Sequence, residues 1–347
     1  MRTTWDDNVL FSVLLELTYA CNLDCDFCYN DLSLRGQPLS YEQYEALLDE
    51  LAELGALNLI LTGGEPLAHP RFLDIGELAR DRGFVVRIKS NGHALRGVRA
   101  RRIQERIDPF LIEVSLHGAC AATHDRQTRV PGSFDRLLAN LEELRELGLR
   151  IKINSTLTRW NEDEIEGMYE IADGLGYRLQ IDPEVTPRDD GDVSPLELSA
   201  TREGLQRLFE IQRQRSAAAS QAEPPSEAPV KTSSAPARPQ KHCGAGSSGL
   251  AIDPFGNVYP CVQWRRPIGS LHESSLAQLW RRSPVLDEVR EATVKVRQHL
   301  LGLGERAPAA FCPGAAEAST GSPFELHAPA ERRRDSERAV RSLPVLA

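Results

Sequence analysis

Residues 11–30 read FSVLLELTYACNLDCDFCYN, an apolar run that opens into three cysteines within eight residues: Cys21, Cys25 and Cys28. The run 11–18 has the length and the Val/Leu/Phe content of a buried strand. The spacing after it, C-x3-C-x2-C, puts three thiolates on one tight loop. Thiolates are soft and strongly donating and so suit iron. Three of them bind three corners of a cubane cluster and leave its fourth iron without a protein ligand. A cubane that only carries electrons normally has four protein ligands, so an open iron points to a chemically active cluster. The competing reading is a zinc knot, whose paired C-x2-C units close with a fourth Cys or His. No fourth ligand lies in this loop: Asp24 and Asp26 are poor substitutes, and His69 is distant.

Outward from the loop, strand and helix patterns alternate. LSYEQYEALLDELAELG (39–55) carries Leu47, Leu48, Leu51 and Leu54 on one helical stripe. Further strands are expected at 57–62, 84–90, 110–118, 149–158 and 177–183, separated by helices at 71–82, 97–107, 133–147 and 161–174. Short, largely apolar strands joined by helices imply an α/β protein with a parallel sheet covered by helices. Sites in such folds gather at the C-terminal ends of strands. The distinctive polar segments fall there: 21–28, 63–66, 90–92, 115–118, 154–156 and Asp182.

The pattern breaks after a helix at 200–214. Residues 215–240, rich in Ala, Ser, Pro and Glu, have little to bury and are expected to be a flexible linker. A smaller region, 241–325, holds Cys243, Cys261 and Cys312. AIDPFGNVYPC (251–261) reads as a hairpin about a PFGN turn, which returns Cys261 toward Cys243. Cys312 sits in the turn-like FCPG after a helix at 274–290, and the tail 326–347 is expected to be basic and irregular.

Length and composition set the bounds. The 347 residues suit two domains, or one with an appendage, and 41% hydrophobic residues provide a substantial core. A net charge of −9 without a long Lys/Arg block disfavours nucleic acid. No apolar run approaches the roughly 20 residues of a membrane span. The start MRTTWDDNVL lacks a secretory pattern, so a cytoplasmic protein is expected. Seven unevenly spaced cysteines, three of them clustered, read as metal ligation rather than a disulfide framework.

The three-cysteine loop closely resembles the signature of the radical S-adenosylmethionine (SAM) family, and further motifs follow in that family's order over roughly residues 11–183. The resemblance implies a partial (β/α)6 barrel of the TIM type. It implies a [4Fe–4S] cluster on Cys21, Cys25 and Cys28, with SAM chelating the open iron. The reduced cluster then cleaves SAM to methionine and a 5'-deoxyadenosyl radical, which abstracts a substrate hydrogen. Phe27 matches the aromatic position near the adenine. Gly63, Gly64, Glu65 and Pro66 resemble the family's GGEP segment. Its glycines let the chain turn closely around SAM, its backbone carbonyls accept from the SAM amine, and Glu65 orients the loop or that amine. Ser90, Asn91 and Ser115 match positions near the ribose and the SAM carboxylate, and Asn154 ends the fifth strand with an amide able to bond polar cofactor atoms. Each alone is equally an ordinary cap or turn residue. His117 faces the same mouth, for substrate contact or for structural hydrogen bonding. Cys120 resembles no cluster ligand. A small side chain is its plain reading; as the one spare cysteine near that mouth, it is also the candidate hydrogen-atom donor of an epimerase.

The second cysteine set resembles the auxiliary-cluster domains called SPASM or twitch. The match is C-x2-G…P-x-G-x-V-x-P-C across Cys243, Gly246, Pro254, Gly256, Val258, Pro260 and Cys261, followed by GSLHESSLAQLW (269–280). It implies a radical SAM core at 1–214, a linker at 215–240, a small C-terminal auxiliary-cluster domain at 241–325 and a tail. The full SPASM pattern binds two clusters with seven cysteines. With Cys243, Cys261 and Cys312 alone, one auxiliary iron–sulfur cluster is expected, its fourth contact from His242, a carboxylate or substrate. Zinc on three thiolates and unligated cysteines are the alternatives.

The implied function is hydrogen abstraction from a ribosomally made peptide, leading to a crosslink, cyclisation or oxidation. Alternatives are a radical epimerase or dehydrogenase of a sugar or other natural-product intermediate, and a non-catalytic iron–sulfur electron-transfer protein. The open-iron loop together with GGEP argues against the last. A low-potential electron donor such as flavodoxin or ferredoxin is the expected partner. Because the first strand comes so early, a peptide substrate is expected to need a separate leader-peptide-binding protein.

Overall fold

A computed structural model of the chain describes residues 2–31, 33–222, 240–304, 307–308 and 310–341. After a short helix α1 (Arg2–Asp6), strands and helices alternate: β1 (Ser12–Glu16), α2 (Tyr41–Glu53), β2 (Asn58–Thr62), α3 (Phe72–Asp81), β3 (Val85–Ser90), α4 (Gly97–Arg106) and β4 (Leu111–Ser115). Then come α5 (Ala121–Thr128), α6 (Ser133–Glu146), β5 (Ile151–Thr156), α7 (Ile165–Leu175), β6 (Arg178–Asp182) and α8 (Arg202–Ala222). β1 to β6 pair in parallel in chain order, the partial (β/α)6 barrel.

Side-chain alternation decides which face of each strand meets the helices. Val13, Leu15, Leu59, Leu61, Val86, Ile88, Ile112 and Val114 are buried in the core. α2 contributes Tyr44, Leu47, Leu48 and Leu51 at helical spacing. Its start is fixed by a capping box in which Gln43 N donates to Ser40 Oγ and Ser40 N donates to the Gln43 side chain. Each such leucine contributes about 1.5–3 kcal/mol on burial, more than helix propensity supplies. The other strand face is polar: Lys89, Glu113 and Lys152 stand directly opposite one another on β3, β4 and β5.

The C-terminal region grows from the same sheet. β7 (Gly249–Ile252) pairs in parallel with β1, while β8 (Asn257–Tyr259) and β9 (Gly269–Ser270) continue antiparallel, giving one nine-stranded sheet ordered β6-β5-β4-β3-β2-β1-β7-β8-β9. The expected hairpin is therefore present. Asp253 ties its turn by accepting from Phe255 N, Asn257 N, Asn257 Nδ2 and the Tyr259 hydroxyl. The helices α9 (Leu276–Arg282), α10 (Pro284–Leu303), α11 (Pro313–Thr320) and α12 (Ala328–Arg341) complete the chain.

Three expectations need correction. The single helix expected at 274–290 is two, because Pro284 lacks an N–H and starts a new helix. α8 runs to Ala222, into the expected linker, as its Ala-rich end favours helix; residues 223–239 of that linker lie outside the described residues. The tail is not irregular. α12 buries small residues, Ala330, Ser336 and Val340, and docks on the start of α8 through Ser336 Oγ to Arg202 O. α5 also went unread, since AATHDRQT shows no apolar stripe. Among the described residues no helix is long and apolar enough to cross a membrane.

Candidate active site

The cysteine loop is built by backbone approach. After β1, Thr18 and Ala20 receive Gly64 N at 2.7 Å and Glu65 N at 2.9 Å through their carbonyls, so the GGEP segment continues the β1–β2 pairing. The contact leaves no room for side chains. A Cβ on Gly63 would lie 2.3 Å from Thr18 O, and one on Gly64 2.6 Å from Tyr19 O; Gly63 also has φ +135°. Asn30 Nδ2, beyond Cys28, donates to Gly63 O at 3.1 Å. Glu65 is buried beneath this turn. Its carboxylate accepts from Leu67 N, Ser90 Oγ and Asn91 N at 2.8–3.1 Å, tying the ends of β2 and β3 together. Burial pushes its carboxyl up, and those donors oppose the shift. Of its two expected roles, Glu65 thus performs loop orientation, and Ser90 spends its hydroxyl on Glu65.

The far side of the loop rests on α5. Asp24 N donates to Thr128 O and Asp26 N to Gln127 O, while Arg129, in a left-handed conformation at the helix end, pairs with Asp24 and Asp26. Asn91 Nδ2 sits 3.8 Å from Cys21 Sγ and 2.8 Å from Asn22 Oδ1. Burial raises all three thiols above their ordinary range, and at Cys25 the other two cysteines add to it.

These residues open onto one cleft of ≈ 400 Å³. Cys21, Cys25, Phe27, Cys28, Gly63, Gly64, Ser90, Asn91, Ser115 and Asn154 all line it. Glu65 and Pro66 lie buried beneath rather than in its wall. Asn154 Oδ1 is buried without a hydrogen-bond partner. His117 also lines the cleft but is buried, not open at its mouth. Its ring packs edge-on to Phe27 at 4.7 Å, its Nδ1 accepts from Thr156 N, and burial holds its pKa down to about 3, so it is neutral. Cys120 does not line the cleft. It caps the start of α5, exposed, with its thiol 3.4 Å from Glu164 Oε1.

Sequence reading missed the charged floor. Buried Glu113 accepts Lys152 at 2.5 Å and Arg87 at 2.9 Å, with Lys89 at 4.0 Å, and these cations hold its carboxyl below the usual range against burial. Lys152 also reaches Gln180 Oε1 at 3.0 Å. The signal was present: Lys89, Glu113, Lys152 and Gln180 interrupt otherwise apolar strands at every second position.

The second cysteine set lies behind the cleft wall made by Val262 and Gln263. Burial raises Cys243 to about 11 and Cys312 to about 12, and Cys261 also rises. Cys243 and Cys261 pack against one apolar cluster of Ala245, Trp264 and Val289, and the charges of both add to the upward push that burial gives Cys312. His242 joins the halves of the set: its Nε2 donates to Phe311 O at 2.7 Å, linking the neighbour of Cys243 to the neighbour of Cys312. Gly314 packs against the Gln263 carbonyl, where a Cβ would lie 2.3 Å away. Arg265 bolts this region to the barrel. Its guanidinium pairs with fully buried Glu16 at 2.7 Å and with Asp189 at 2.9 Å, and Asp189 N donates to Tyr29 O beside Cys28.

Both sets fit thiolate-bound clusters. Cys21 is exposed and the other five thiols are half-buried, and at all six desolvation disfavours the bare thiolate, a cost that bound iron would offset. Among the described residues no group of three or more His, Cys, Asp or Glu side chains is placed to hold a single metal ion. Two side-chain-free glycines beside the cysteine loop and an unpartnered amide oxygen, that of Asn154, line the cleft with the thiols, as suits a chelated small cofactor.

Comparison with known proteins agrees. Residues 15–172 match the radical SAM superfamily. The AdoMet-dependent heme synthase of Methanosarcina barkeri (strain Fusaro / DSM 804) is 30% identical over 305 residues, 80% of this chain and 83% of the relative. The chain belongs to the radical SAM superfamily. This radical SAM protein also matches SPASM, an iron-sulfur cluster-binding domain, over residues 243–302, a span that ends before Cys312. The mycofactocin maturase MftC of Mycobacterium ulcerans (strain Agy99) is 30% identical over 283 residues, 80% of this chain and 76% of the relative. The solved structure of native anSMEcpe with bound AdoMet and Cp18Cys peptide has a TM-score of 0.70 at 17% identity over 94% of both chains, and so shares the fold. The cofactors of this radical SAM enzyme are accordingly SAM, a [4Fe–4S] cluster and an auxiliary iron–sulfur cluster.

Proposed function

We propose that this radical SAM enzyme modifies a ribosomally made peptide, leaving a crosslink, a ring or an oxidised residue. The shared cleft carries the reading: the thiols of the N-terminal loop and the Val262–Gln263 wall of the second set line one space. A substrate there touches both the site that starts radical chemistry and the wall of one able to accept the electron released on oxidation. The mycofactocin maturase relative supports a peptide substrate, as does the PqqA peptide cyclase of Ruegeria pomeroyi (strain ATCC 700808 / DSM 15171 / DSS-3), 32% identical over 48% of this chain and 45% of the relative.

When bound, SAM and the reduced cluster supply reductive sulfonium cleavage and hydrogen abstraction. The chain's residues do the rest. Cys21, Cys25 and Cys28 hold the cluster, and Cys243, Cys261 and Cys312 hold the auxiliary one. Glu65 fixes the turn of Gly63 and Gly64. Asn154 offers an acceptor to a cofactor donor, and Asn91 buttresses the loop at Cys21. Phe27, braced by neutral His117, walls the adenine side. Lys89, Glu113, Lys152 and Gln180 orient polar groups of the substrate. Reduced flavodoxin or ferredoxin supplies the electron, and a separate protein presents the peptide leader.

A second reading follows from the heme synthase relative. The lysines of the cleft floor suit an anionic small-molecule intermediate, which the enzyme would dehydrogenate or epimerise. One experiment separates the two: 5'-deoxyadenosine formed by reduced, cluster-loaded enzyme with fractions of its host extract, with and without protease. Stimulation that protease destroys supports the peptide; stimulation that survives protease overturns it in favour of the small molecule.

A further inference from the structure

Between Arg96 and Arg106 the chain carries five arginines and one carboxylate, Glu105, in a protein of net charge −9. Arg106 is committed to Asp74 and Glu77 of α3. Arg96, Arg99, Arg101 and Arg102 are exposed and form no ion pair among the described residues. Val98, 59% exposed, lies among them. Unpaired like charges held on one short helix repel one another, a cost that folding alone does not explain.

The place of α4 gives the patch a use. The turn that leads into it contains Asn91, at Cys21 Sγ, and His93, whose Nδ1 lies 3.5 Å from Asn22 Nδ2. Arg99 borders an outer groove of ≈ 230 Å³ with Leu67 and His69, just past the GGEP turn, and its charge reaches buried Glu65. Arg99 thus stands outside the GGEP turn against which the cysteine loop packs, and Arg96, Arg101 and Arg102 are its exposed neighbours in the chain. The cleft side of that loop belongs to cofactor and substrate, so electrons have to arrive from outside. An isolated basic patch on an acidic protein steers an acidic partner to that spot.

We propose that the exposed arginines of α4 are the docking surface for an acidic, low-potential one-electron donor protein of the flavodoxin or ferredoxin type. This rests on the reading of Cys21, Cys25 and Cys28 as ligands of the reducible cluster. In the step served, the donor is oxidised by one electron and the cluster reduced by one; no bond forms or breaks and no proton moves.

The test follows bleaching of the cluster absorbance in anaerobic holoenzyme mixed with either flavodoxin hydroquinone or sodium dithionite. Arg99→Glu/Arg102→Glu is expected to slow reduction by flavodoxin about tenfold at low ionic strength and to flatten its dependence on salt. Dithionite reduction and iron content stay at wild-type values. Arg281→Glu/Arg282→Glu, an equal charge change on α9, leaves both rates unchanged. An unchanged flavodoxin rate in the α4 variant overturns the proposal. So does equal slowing with dithionite, which would mean a structural effect, or equal slowing by the α9 variant, which would mean bulk charge. A wild-type protein that holds iron yet is reduced by neither reagent overturns the reading of the cysteine loop itself.

Discussion

The two cysteine sets are ligand sites of opposite construction. Cys21, Cys25 and Cys28 span eight residues of one loop, and what shapes that loop is backbone: carbonyls of Thr18 and Ala20 against the amides of Gly64 and Glu65, and Asp24 and Asp26 against the end of α5. Cys243, Cys261 and Cys312 come from three separate segments; backbone contacts, Gly246 N to Pro260 O and Gly314 on the Gln263 carbonyl, join them in part, but side chains add further ties, His242 onto Phe311 O and Arg265 onto Glu16 and Asp189 of the barrel. A site made by backbone contact fails when a side chain is added. A site made by side-chain ties fails when one is removed.

The largest effect expected from this difference is at Gly64. Gly64→Val places carbons within 3 Å of the Tyr19 and Ala20 carbonyls and should abolish 5'-deoxyadenosine formation while auxiliary iron is retained; full activity would break the comparison. Next is Arg265→Gln. It strands a buried carboxylate, Glu16, and should destabilise the fold by about 3–5 kcal/mol, read by urea unfolding. Glu16→Gln/Arg265→Gln should recover much of that loss, since neither charge is then left alone.

His242→Ala should lower iron affinity about 10–100-fold at the auxiliary site only, measured as iron per chain in a Cys21→Ala/Cys25→Ala/Cys28→Ala background. Equal iron with and without His242 would remove the proposed tie. A smaller effect concerns pH. His117 is held neutral down to about 3 and His124 to about 4, against about 6.5 when unfolded. The unfolded chain therefore binds more protons between these values, so stability is full above about 6.5 and falls as pH drops through that window. His117→Asn should flatten the fall in urea midpoint between about pH 6.5 and 5; an unchanged slope would mean the ring is solvated. The smallest effect is at Cys120, outside the cleft: Cys120→Ala should leave iron content and SAM cleavage unchanged, and unchanged product as well would remove it as hydrogen-atom donor.

Much of the N-terminal site was readable from residues 11–30 and 63–66, because its ligands are neighbours in the chain and glycine has few other reasons to be paired at a strand end. The six strands were readable for the same reason: apolar runs of buried parallel strands are local signals. α5 and α12 were not, since one presents polar residues and the other small ones, and their burial depends on partners far away in sequence. The positions of Cys120 and His117 were misjudged because sequence places them after a strand end without saying which way the following helix carries the side chain.

From sequence alone came the chemistry of the three thiolates, the order of strand and helix, and the presence of a second cysteine set. Those follow from residue type and short-range periodicity. Tertiary structure alone decided that β7 would join β1, that Glu65 and Ser90 would spend their polar groups on each other, and that Val262 and Gln263 would line the cleft onto which the first cysteine loop opens. Each of these is a contact between segments far apart in the chain, chosen by which pairing buries apolar surface while leaving few buried polar groups without a partner.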